Sequence, residues 1–430
     1  MLKLVFKQII NRRKSNTWIA VELLLVFMTV WYTVDYFFVL GYTYRIPSHR
    51  DIRHTWQLSV GEYPETHARY SEEESAKETV EANFERLLQA VRTYPGVEAV
   101  TVSFYASEPE SSGYSGNVFR RADDSVNHVN AQCIRSDPRG DYFKVFAYTA
   151  DEGKKPVSIR DFNLSSVNDE VVISRSIAGA LFPEGSPVGK EIWQGTDKYT
   201  VAGVVDDIKR FASRRPHHAV YMFMRFDAYM LQHIKISVRS NASVPDDLFK
   251  AGFRKEMQEH LQAGNFYLKN LSAYTKVAGE MERIFGLKKQ ILERTYMMLF
   301  FLVNILLCVT GTFWYRIHTR REEIGIRKAM GSTSSHIRNI LLSEGLILLS
   351  VAAFPAIIIE MNMVYAGLID TLGKNGSIEG VVYLPDRTAL RFLITNGITW
   401  LIMAAVIVAA IRLPARKAAA MPPAEALHYE

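Results

Sequence analysis

The residues best suited to chemistry lie in the polar middle of the chain. His217-His218 could supply metal ligands, Asp206-Asp207 could form a carboxylate pair, and Ser174 could act as a nucleophile. Adjacent side chains on a strand point to opposite faces and no third ligand is suitably spaced, so the histidines are interpreted as surface residues. The aspartates are typical of a turn after a buried strand, and Ser174 lacks the glycines of a nucleophile elbow. The pattern predicts no catalytic residue, no metal site and no enzyme activity in this chain.

The sequence also predicts neither a nucleotide-binding loop nor a disulfide bond. The run G-S-P-V-G-K-E at 185–191 has the wrong spacing for a phosphate-binding G-x-x-x-x-G-K-[ST] loop and lacks its Ser/Thr. Cys133 lies in the polar middle and Cys308 in an apolar run, so we do not expect them to pair. We therefore expect no cofactor in this chain.

The elements around these residues are organised for a membrane. The 430 residues are 48% hydrophobic, 22% charged and carry a net charge of +6. A helix needs about 20 apolar residues to cross a bilayer. Segments that satisfy this are 17–40, 296–317, 340–369 (interrupted by Pro355) and 392–411. The first is too long for a signal peptide and has no small-residue cleavage site, which predicts a retained anchor.

Polar residues interrupt these segments. They are Glu22, Asp35, Asn304, Glu344, Glu360 and Asn396. A carboxylate at the bilayer centre costs about 2.5–3.5 kcal/mol on insertion scales, and less near an interface. No ladder of carboxylates crosses the bilayer, so interfacial placement or contacts between helices are favoured over an ion or proton path. Small residues four apart between Ala404 and Ala410 also favour close helix packing.

Basic residues predict the orientation. Lysines and arginines cluster before the first span, between the second and third spans, and after the fourth, whereas the loop between spans three and four is balanced. By the positive-inside rule both termini and the loop around 318–339 are cytoplasmic, and the polar middle lies outside. This placement of charge also argues against a nucleic-acid partner.

The polar middle alternates strand-like and helix-like patterns. Two strand–helix–strand units are predicted, at 55–60, 73–94 and 97–104, and at 233–238, 246–262 and 265–271. Between them, strands at 170–174, 198–205 and 219–223 indicate a β-rich insertion. The predicted fold class is a membrane bundle of four helices with a large extracytoplasmic α+β domain, made of a split βαβ subdomain and a β-rich insertion.

One motif follows the second span directly. Residues 320–332 read R-R-E-E-I-G-I-R-K-A-M-G-S, which resembles the signature of MacB/FtsX-type ABC transporter permeases. Further matches are L-L-S-E-G at 341–345, P-A-R-K-A at 414–418 and P-P-A-E-A-L at 422–427. Within 171–207, V-V-I-S, L-F-P, P-V-G-K and V-A-G-V-V-D-D resemble the MacB periplasmic core. The resemblance covers nearly the whole chain.

The resemblance implies that the motif forms a coupling helix that docks a cytoplasmic ABC ATPase. The implied docking residues are Glu322, Glu323, Ile324, Gly325, Ile326, Arg327, Lys328, Ala329, Met330 and Gly331. The residue types suit this role, because isoleucine and methionine offer apolar contacts and the basic pair can meet carboxylates. Gly331 can adopt the left-handed conformation that ends a helix. The residues alone fit equally well a basic helix resting on anionic headgroups.

The predicted organisation follows the chain. It comprises a cytoplasmic N-terminus (1–16), a first transmembrane helix (17–40), the extracytoplasmic domain (41–285), a stalk with the second transmembrane helix (286–317), the coupling helix (318–339), the third transmembrane helix (340–369), an external loop (370–391), the fourth transmembrane helix (392–411) and a cytoplasmic C-terminus (412–430). No ATPase is fused to it, so the resemblance implies a separate ATPase that binds the ATP, and a second permease chain, identical or different.

The function implied by the resemblance is mechanotransmission in the bacterial inner membrane. ATP hydrolysis by the partner would move the extracytoplasmic domain and export a peptide, lipoprotein or drug-like substrate, with a periplasmic adaptor and an outer-membrane channel as further partners. The alternative is a non-transporting regulator of an external cell-wall hydrolase, resembling FtsX. The large insertion favours the exporter. A four-span receptor is a third interpretation, which leaves 320–331 unexplained.

Overall fold

The computed structural model describes residues 13–124, 126–227, 230–259, 262–369 and 383–420. The side chains of 13–16, 232, 257–259 and 418–420 are not described. Parts of the predicted N-terminus and external loop, and the P-P-A-E-A-L motif, therefore lie outside the described residues. The described chain divides into two compact units: residues 43–287, here called the polar domain, and the remainder, here called the helical unit.

The elements are numbered in chain order. The α-helices are α1 (Arg13–Arg45), α2 (Lys77–Thr93), α3 (Tyr142–Val145), α4 (Arg175–Leu181), α5 (Asp246–Glu259), α6 (Tyr274–Ile284), α7 (Leu287–Thr319), α8 (Arg321–Ala329), α9 (Ser334–Tyr365) and α10 (Thr388–Ala420). The strands are β1 (Thr55–Glu62), β2 (Val97–Phe104), β3 (Gly116–Arg121), β4 (His128–Ser136), β5 (Thr149–Ala150), β6 (Lys155–Pro156), β7 (Glu170–Ser174), β8 (Glu191–Gln194), β9 (Asp197–Val205), β10 (Ile208–Lys209), β11 (Pro216–His217), β12 (Ala219–Phe223), β13 (Ile234–Ser240), β14 (Gln262–Ala263) and β15 (Phe266–Ala273). Short 3₁₀ turns cover Glu72–Ser75, Ile159–Phe162, Met230–His233 and Leu384–Asp386.

The helical unit contains the four predicted spans. Helices α1, α7, α9 and α10 are each long and apolar enough to cross a membrane. Helix α9 continues through Pro355, and α10 continues through Pro414. Buried aliphatic side chains from all four helices and from α8 form one core, in which Ala404 and Ala410 are buried as the small-residue pattern predicts. The prediction of a packed four-helix bundle is confirmed.

Several polar residues of the spans form contacts between helices. Arg391 of α10 donates to Asp35 of α1, with Nε 2.7 Å from Oδ1. Trp31 of α1 donates through Nε1 to the Thr395 hydroxyl at 3.0 Å. The Cys308 thiol of α7 lies 2.7 Å from Glu22 Oε2 of α1. These three contacts support the interpretation that polar residues of the spans connect helices, and they do not form an ion path.

Three other polar residues of the spans, Asn304, Asn396 and Glu360, are placed differently. Asn304 is exposed on α7, and Asn396 donates to the Phe392 carbonyl of its own helix. Glu360 is fully buried, and among the described residues neither of its carboxylate oxygens has a hydrogen-bond partner.

The polar domain contains the predicted split βαβ subdomain. Strands run in the order β2-β13-β1-β15, with every neighbouring pair antiparallel. Each βαβ unit therefore encloses a strand of the other unit between its own two strands, which is the ferredoxin-like arrangement. Helices α2 and α5 share one core with these strands through Phe84, Leu88 and Phe253. The side chain of Met257, on the same helical stripe as Phe253, is not described.

The insertion between β2 and β13 is β-rich, as predicted, and it closes on itself. Its strands pair in the order β12-β7-β9-β8-β3-β4, and β4 pairs again with β12, with Cys133 opposite Val220. Alternate residues of β7 face different cores: Val171 and Ile173 belong to one cluster, and Val172 belongs to an aromatic cluster around Tyr221. This is the period of two expected for a strand buried on both faces.

The close approach of α9 and α10 gives a testable expectation. A Cβ atom on Gly345 would lie 2.4 Å from Ile411 Cδ1 and 3.0 Å from Ile407 Cγ2, whereas a Cβ on Gly397 of α10 would meet nothing within 4 Å. We predict that Gly345→Val destabilises the chain by about 1–3 kcal/mol through overpacking. Thermal unfolding of the detergent-solubilised chain measures this, with Gly397→Val as the control. Equal melting shifts for both variants would contradict the packing argument.

Candidate functional site

The motif that follows the second span forms a helix, α8. It begins after Arg320 and ends in a Schellman motif, in which Gly331 N–H donates to the Lys328 carbonyl and Ser332 N–H donates to the Arg327 carbonyl, both at 2.9 Å. Gly331 has a φ of +92°, the left-handed conformation that the sequence predicts for it. Glu322 lies in the first turn, where its charge complements the helix dipole.

Helix α8 has a buried side and an exposed side. Ile324 and Gly325 are buried, and Ile324 belongs to the core of the helical unit. Ile326 is 50% exposed and Met330 is 83% exposed. Of the three apolar residues predicted to offer contacts, Ile324 therefore packs inward, and the other two are available on the surface. Their spacing of four places them on the same side of the helix.

The charged residues of α8 are partly engaged with one another. Arg327 donates to Glu323 Oε1 at 2.7 Å, an i,i+4 pair with both side chains partly exposed. Arg327 therefore already has a carboxylate partner within its own helix. A surface pair of this kind is worth only about 0.3–0.5 kcal/mol, so another carboxylate could replace it.

A buried ion cluster holds the corner between α7 and α8. Arg316, in the last turn of α7, donates to Glu344 Oε1 at 2.7 Å, and Arg320, at the start of α8, donates to Glu344 Oε2 at 2.9 Å. The three side chains are between 1% and 6% exposed. Glu344 belongs to α9, so one carboxylate connects three helices. The sequence does not predict this cluster, because Glu344 lies 28 and 24 positions after the two arginines and no local pattern relates them.

The cavity beside this cluster is small. Its volume is about 30 Å³, and it is lined by Arg320, Glu323, Ile324, Arg327, Ile337, Ile340 and Leu341. A space of this size holds about one water molecule and excludes a nucleotide or a drug-like ligand.

The histidines of the polar domain have structural roles, and their interpretation as surface residues is wrong. His217 Nε2 lies 2.5 Å from Gln132 Oε1, and burial lowers the pKa of His217 to about 3, so the ring is neutral. His218 is 8% exposed, with Nδ1 2.8 Å from the Ser176 hydroxyl. His217 ends strand β11 of the β10–β11 hairpin and is half-buried, and His218 follows it directly and is buried, a long-range effect that strand alternation alone does not reveal.

Asp206, Asp207 and Ser174 also form hydrogen bonds that stabilise the fold. Asp206 accepts from the backbone N–H groups of Glu152 and Gly153 at 3.0 and 2.8 Å, and these hydrogen bonds outweigh desolvation and lower its pKa. Asp207 accepts from Ser176 N–H at 3.1 Å. The Ser174 hydroxyl accepts from Ala219 N–H at 3.2 Å. Within the described residues, no group of three His, Cys, Asp or Glu side chains could hold a metal ion.

Comparisons with known proteins match both parts of the chain. The family described as MacB-like periplasmic core domain matches residues 38–248, and the family described as FtsX-like permease C-terminal matches residues 295–422. The chain belongs to the MacB/FtsX family of ABC transporter permeases. The order of the two matches follows the order of the polar domain and the last three long helices.

Solved structures also resemble parts of this permease. The periplasmic region of MacB from Actinobacillus actinomycetemcomitans is 12% identical, with 54% of this chain and 93% of that chain covered and a TM-score of 0.31. The extracellular domain of the ABC-type transporter YknZ from Gram-positive bacteria is 19% identical, with 50% and 100% covered and a TM-score of 0.28. No curated protein matches the chain.

The ion cluster at the corner gives a second prediction. Glu344→Gln leaves two buried guanidinium groups without a carboxylate, so we expect a loss of about 3–5 kcal/mol in stability. Glu323→Gln removes a carboxylate of the same length from a surface pair and should cost no more than about 0.5 kcal/mol. Thermal unfolding in detergent compares the two variants. A Glu344→Gln chain that melts together with Glu323→Gln would show that the cluster contributes little.

Proposed function

We propose that this permease couples ATP hydrolysis by a separate cytoplasmic ABC ATPase to movement of its polar domain. The observation that carries the proposal is the exposed side of α8, where Ile326 and Met330 project from a helix that Glu344 fixes to the bundle. The docking site comprises residues 322–331, with Ile326 and Met330 as its apolar centre and Glu322, Arg327 and Lys328 around them. Ile324 supports the site from its buried side.

The attachment of α8 suits it to receive force. If α8 hung on a flexible loop, a push from an ATPase would be absorbed by the loop. The Glu344 cluster instead makes α8 move with the end of α7, and α7 has 33 residues, which corresponds to about 50 Å of helix. ATP would then bias the position of the helical unit only as far as the ATPase binds one state better than the other.

The other long helices of the helical unit would follow α7. Arg294 of α7 stacks over the rings of Tyr32 and Tyr36 of α1, with its guanidinium 4.5 and 4.1 Å from the ring centroids. Asp35 and Arg391 connect α1 to α10. Cation–π contacts and buried ion pairs are directional, so they resist sliding between helices better than aliphatic packing does. We therefore expect the long helices to move together as one lever and not independently.

We further propose that the chain lies in the inner membrane, with both termini and α8 cytoplasmic and the polar domain outside. A second permease chain and two ATPase subunits complete the complex. The closed β-ring insertion enlarges the polar domain, which favours export of a peptide, lipoprotein or drug-like substrate over regulation of a cell-wall hydrolase. An adaptor and an outer-membrane channel encoded beside this gene would support export, and a wall hydrolase would support regulation.

Docking on α8 is tested by co-purification after membrane extraction. We expect an ABC ATPase to co-purify with the wild-type chain and to be lost with Ile326→Asp, because a buried aspartate in the contact would be unpaired. Leu413→Asp is the matched control, since Leu413 is 67% exposed on α10 and lies outside residues 322–331. Retention of the ATPase by both Ile326→Asp and Arg327→Glu would overturn the docking assignment.

The orientation is tested by labelling single cysteines in intact cells. A cysteine at Met330 should resist a membrane-impermeant maleimide until the cells are lysed. A cysteine at Tyr114, 56% exposed in the polar domain, should react once the reagent has access to the periplasm. Both background cysteines, Cys133 and Cys308, are first replaced by serine or alanine. Reaction of both engineered cysteines from the same side would exclude the proposed topology.

A further inference from the structure

Three consecutive residues of the polar domain contact three different parts of it. They are Lys209, which ends the short strand β10, and Arg210 and Phe211, which follow it. Lys209 contacts the end of α1, Arg210 contacts the loop between β2 and β3, and Phe211 contacts the end of α6. Helices α1 and α6 are the places where the chain enters and leaves the polar domain.

Lys209 caps the end of α1. It is 2% exposed, and its ammonium group donates to the Thr43 carbonyl in the last turn of α1 and to the Ala212 carbonyl at 3.3 Å. A cation at a helix C-terminus is favoured by the helix dipole and satisfies carbonyls that have no partner within the helix. Burial lowers the pKa of Lys209 to about 8. The cost of burying this ammonium group is offset by its hydrogen bonds at the helix end.

Arg210 holds the loop 105–115, which connects β2 and β3. Its guanidinium donates to the Ser111 carbonyl at 3.0 Å and to the Gly113 carbonyl, and lies 5.3 Å from the Tyr114 ring centroid. Its own carbonyl accepts from Arg50 at 2.9 Å, and Arg50 also pairs with Glu110 Oε1 at 2.9 Å. Two arginines thus connect residue 210 to the loop.

The loop depends on these contacts for its shape. Ala106 and Glu110 both have φ near +60°, at 64° and 57°, a conformation that is costly for residues other than glycine. Such residues persist where surrounding contacts determine the backbone. Loss of the contacts made by Arg210 would allow the loop to relax.

Phe211 contacts the other connection. Its ring is 8% exposed and lies 5.1 Å from the ring of Phe285, centroid to centroid, in an edge-to-face arrangement. Phe285 directly follows α6 as its C-cap residue. The Tyr44 hydroxyl also donates to Glu282 Oε1 at 3.0 Å, which joins the ends of α1 and α6 to each other. Both connections therefore meet at the segment 209–211.

We propose that Lys209, Arg210 and Phe211 are positioning residues that pass displacement of α1 and α6 to the loop 105–115. One tripeptide contacts both helix ends and the loop, so a shift of either helix end is expected to reach the backbone that Arg210 and Arg50 contact. Coupling of this kind needs no ligand in the segment itself. That an ATPase causes the displacement rests on the proposed function, but the connection from the helix ends to the loop through residues 209–211 does not.

Hydrogen exchange measured by mass spectrometry on the full-length chain in nanodiscs tests the link without an ATPase. Lys209→Met removes the cap on α1, and we expect roughly tenfold faster exchange both in residues 40–45 and in the loop 105–115, as for loss of one charged hydrogen bond. Lys154→Met, an exposed lysine of the same domain, should change neither. Faster exchange confined to residues 40–45 would overturn the proposal.

Phe211→Leu provides an independent variant in case Lys209→Met fails to fold. We expect faster exchange around residues 281–286 and again in the loop 105–115. In the complex with its co-purifying ATPase, addition of ATP and orthovanadate should alter exchange in the loop of the wild type and not of Lys209→Met. A response in α1 and α7 without one in the wild-type loop contradicts the link alone. Absence of any response in the chain contradicts the proposed function.

Discussion

Burial of the Glu344 carboxylate between Arg316 and Arg320 is the constraint on which the cytoplasmic side of the proposed mechanism depends. Each of these charges would be costly alone in an apolar bundle, and the cost is offset because both carboxylate oxygens of Glu344 accept from an arginine. The geometry leaves little freedom, since one carboxylate must meet one arginine from α7 and another at the start of α8. Aliphatic packing could bury the same surface, but it would not fix the angle of the corner.

The opposite ends of the long helices show the same principle. Asp35 and Arg391 connect residues 356 positions apart in the sequence, and the Trp31 indole and the Thr395 hydroxyl lie one turn away on the same two helices. The hydrophobic core of the helical unit consists mainly of aliphatic and small residues, with Phe27 and Phe313 among them. Directional contacts near both ends are the feature of this bundle that favours the proposed transmission of movement along its length.

The sequence predicts the elements of this permease better than their contacts. The strands at 97–104, 170–174 and 219–223 have the bounds that the pattern predicts, because β-branched and aromatic runs between turn residues are local signals. Helix α2 begins at Lys77 rather than near residue 73, since a 3₁₀ turn occupies Glu72–Ser75. The pairing of β4 with β12 and the burial of Ile324 depend on residues far away in the sequence, so no window of sequence contains them.

The closed ring of the insertion has a consequence for how this domain behaves beside other proteins. An open sheet ends in backbone N–H and C=O groups that can recruit a foreign strand, which leads to aggregation or to peptide capture by strand addition. Each of the six ring strands already has a neighbour on both sides. Where the ring strands are paired, strand addition is blocked, so we expect the ring itself to be recognised through its side chains.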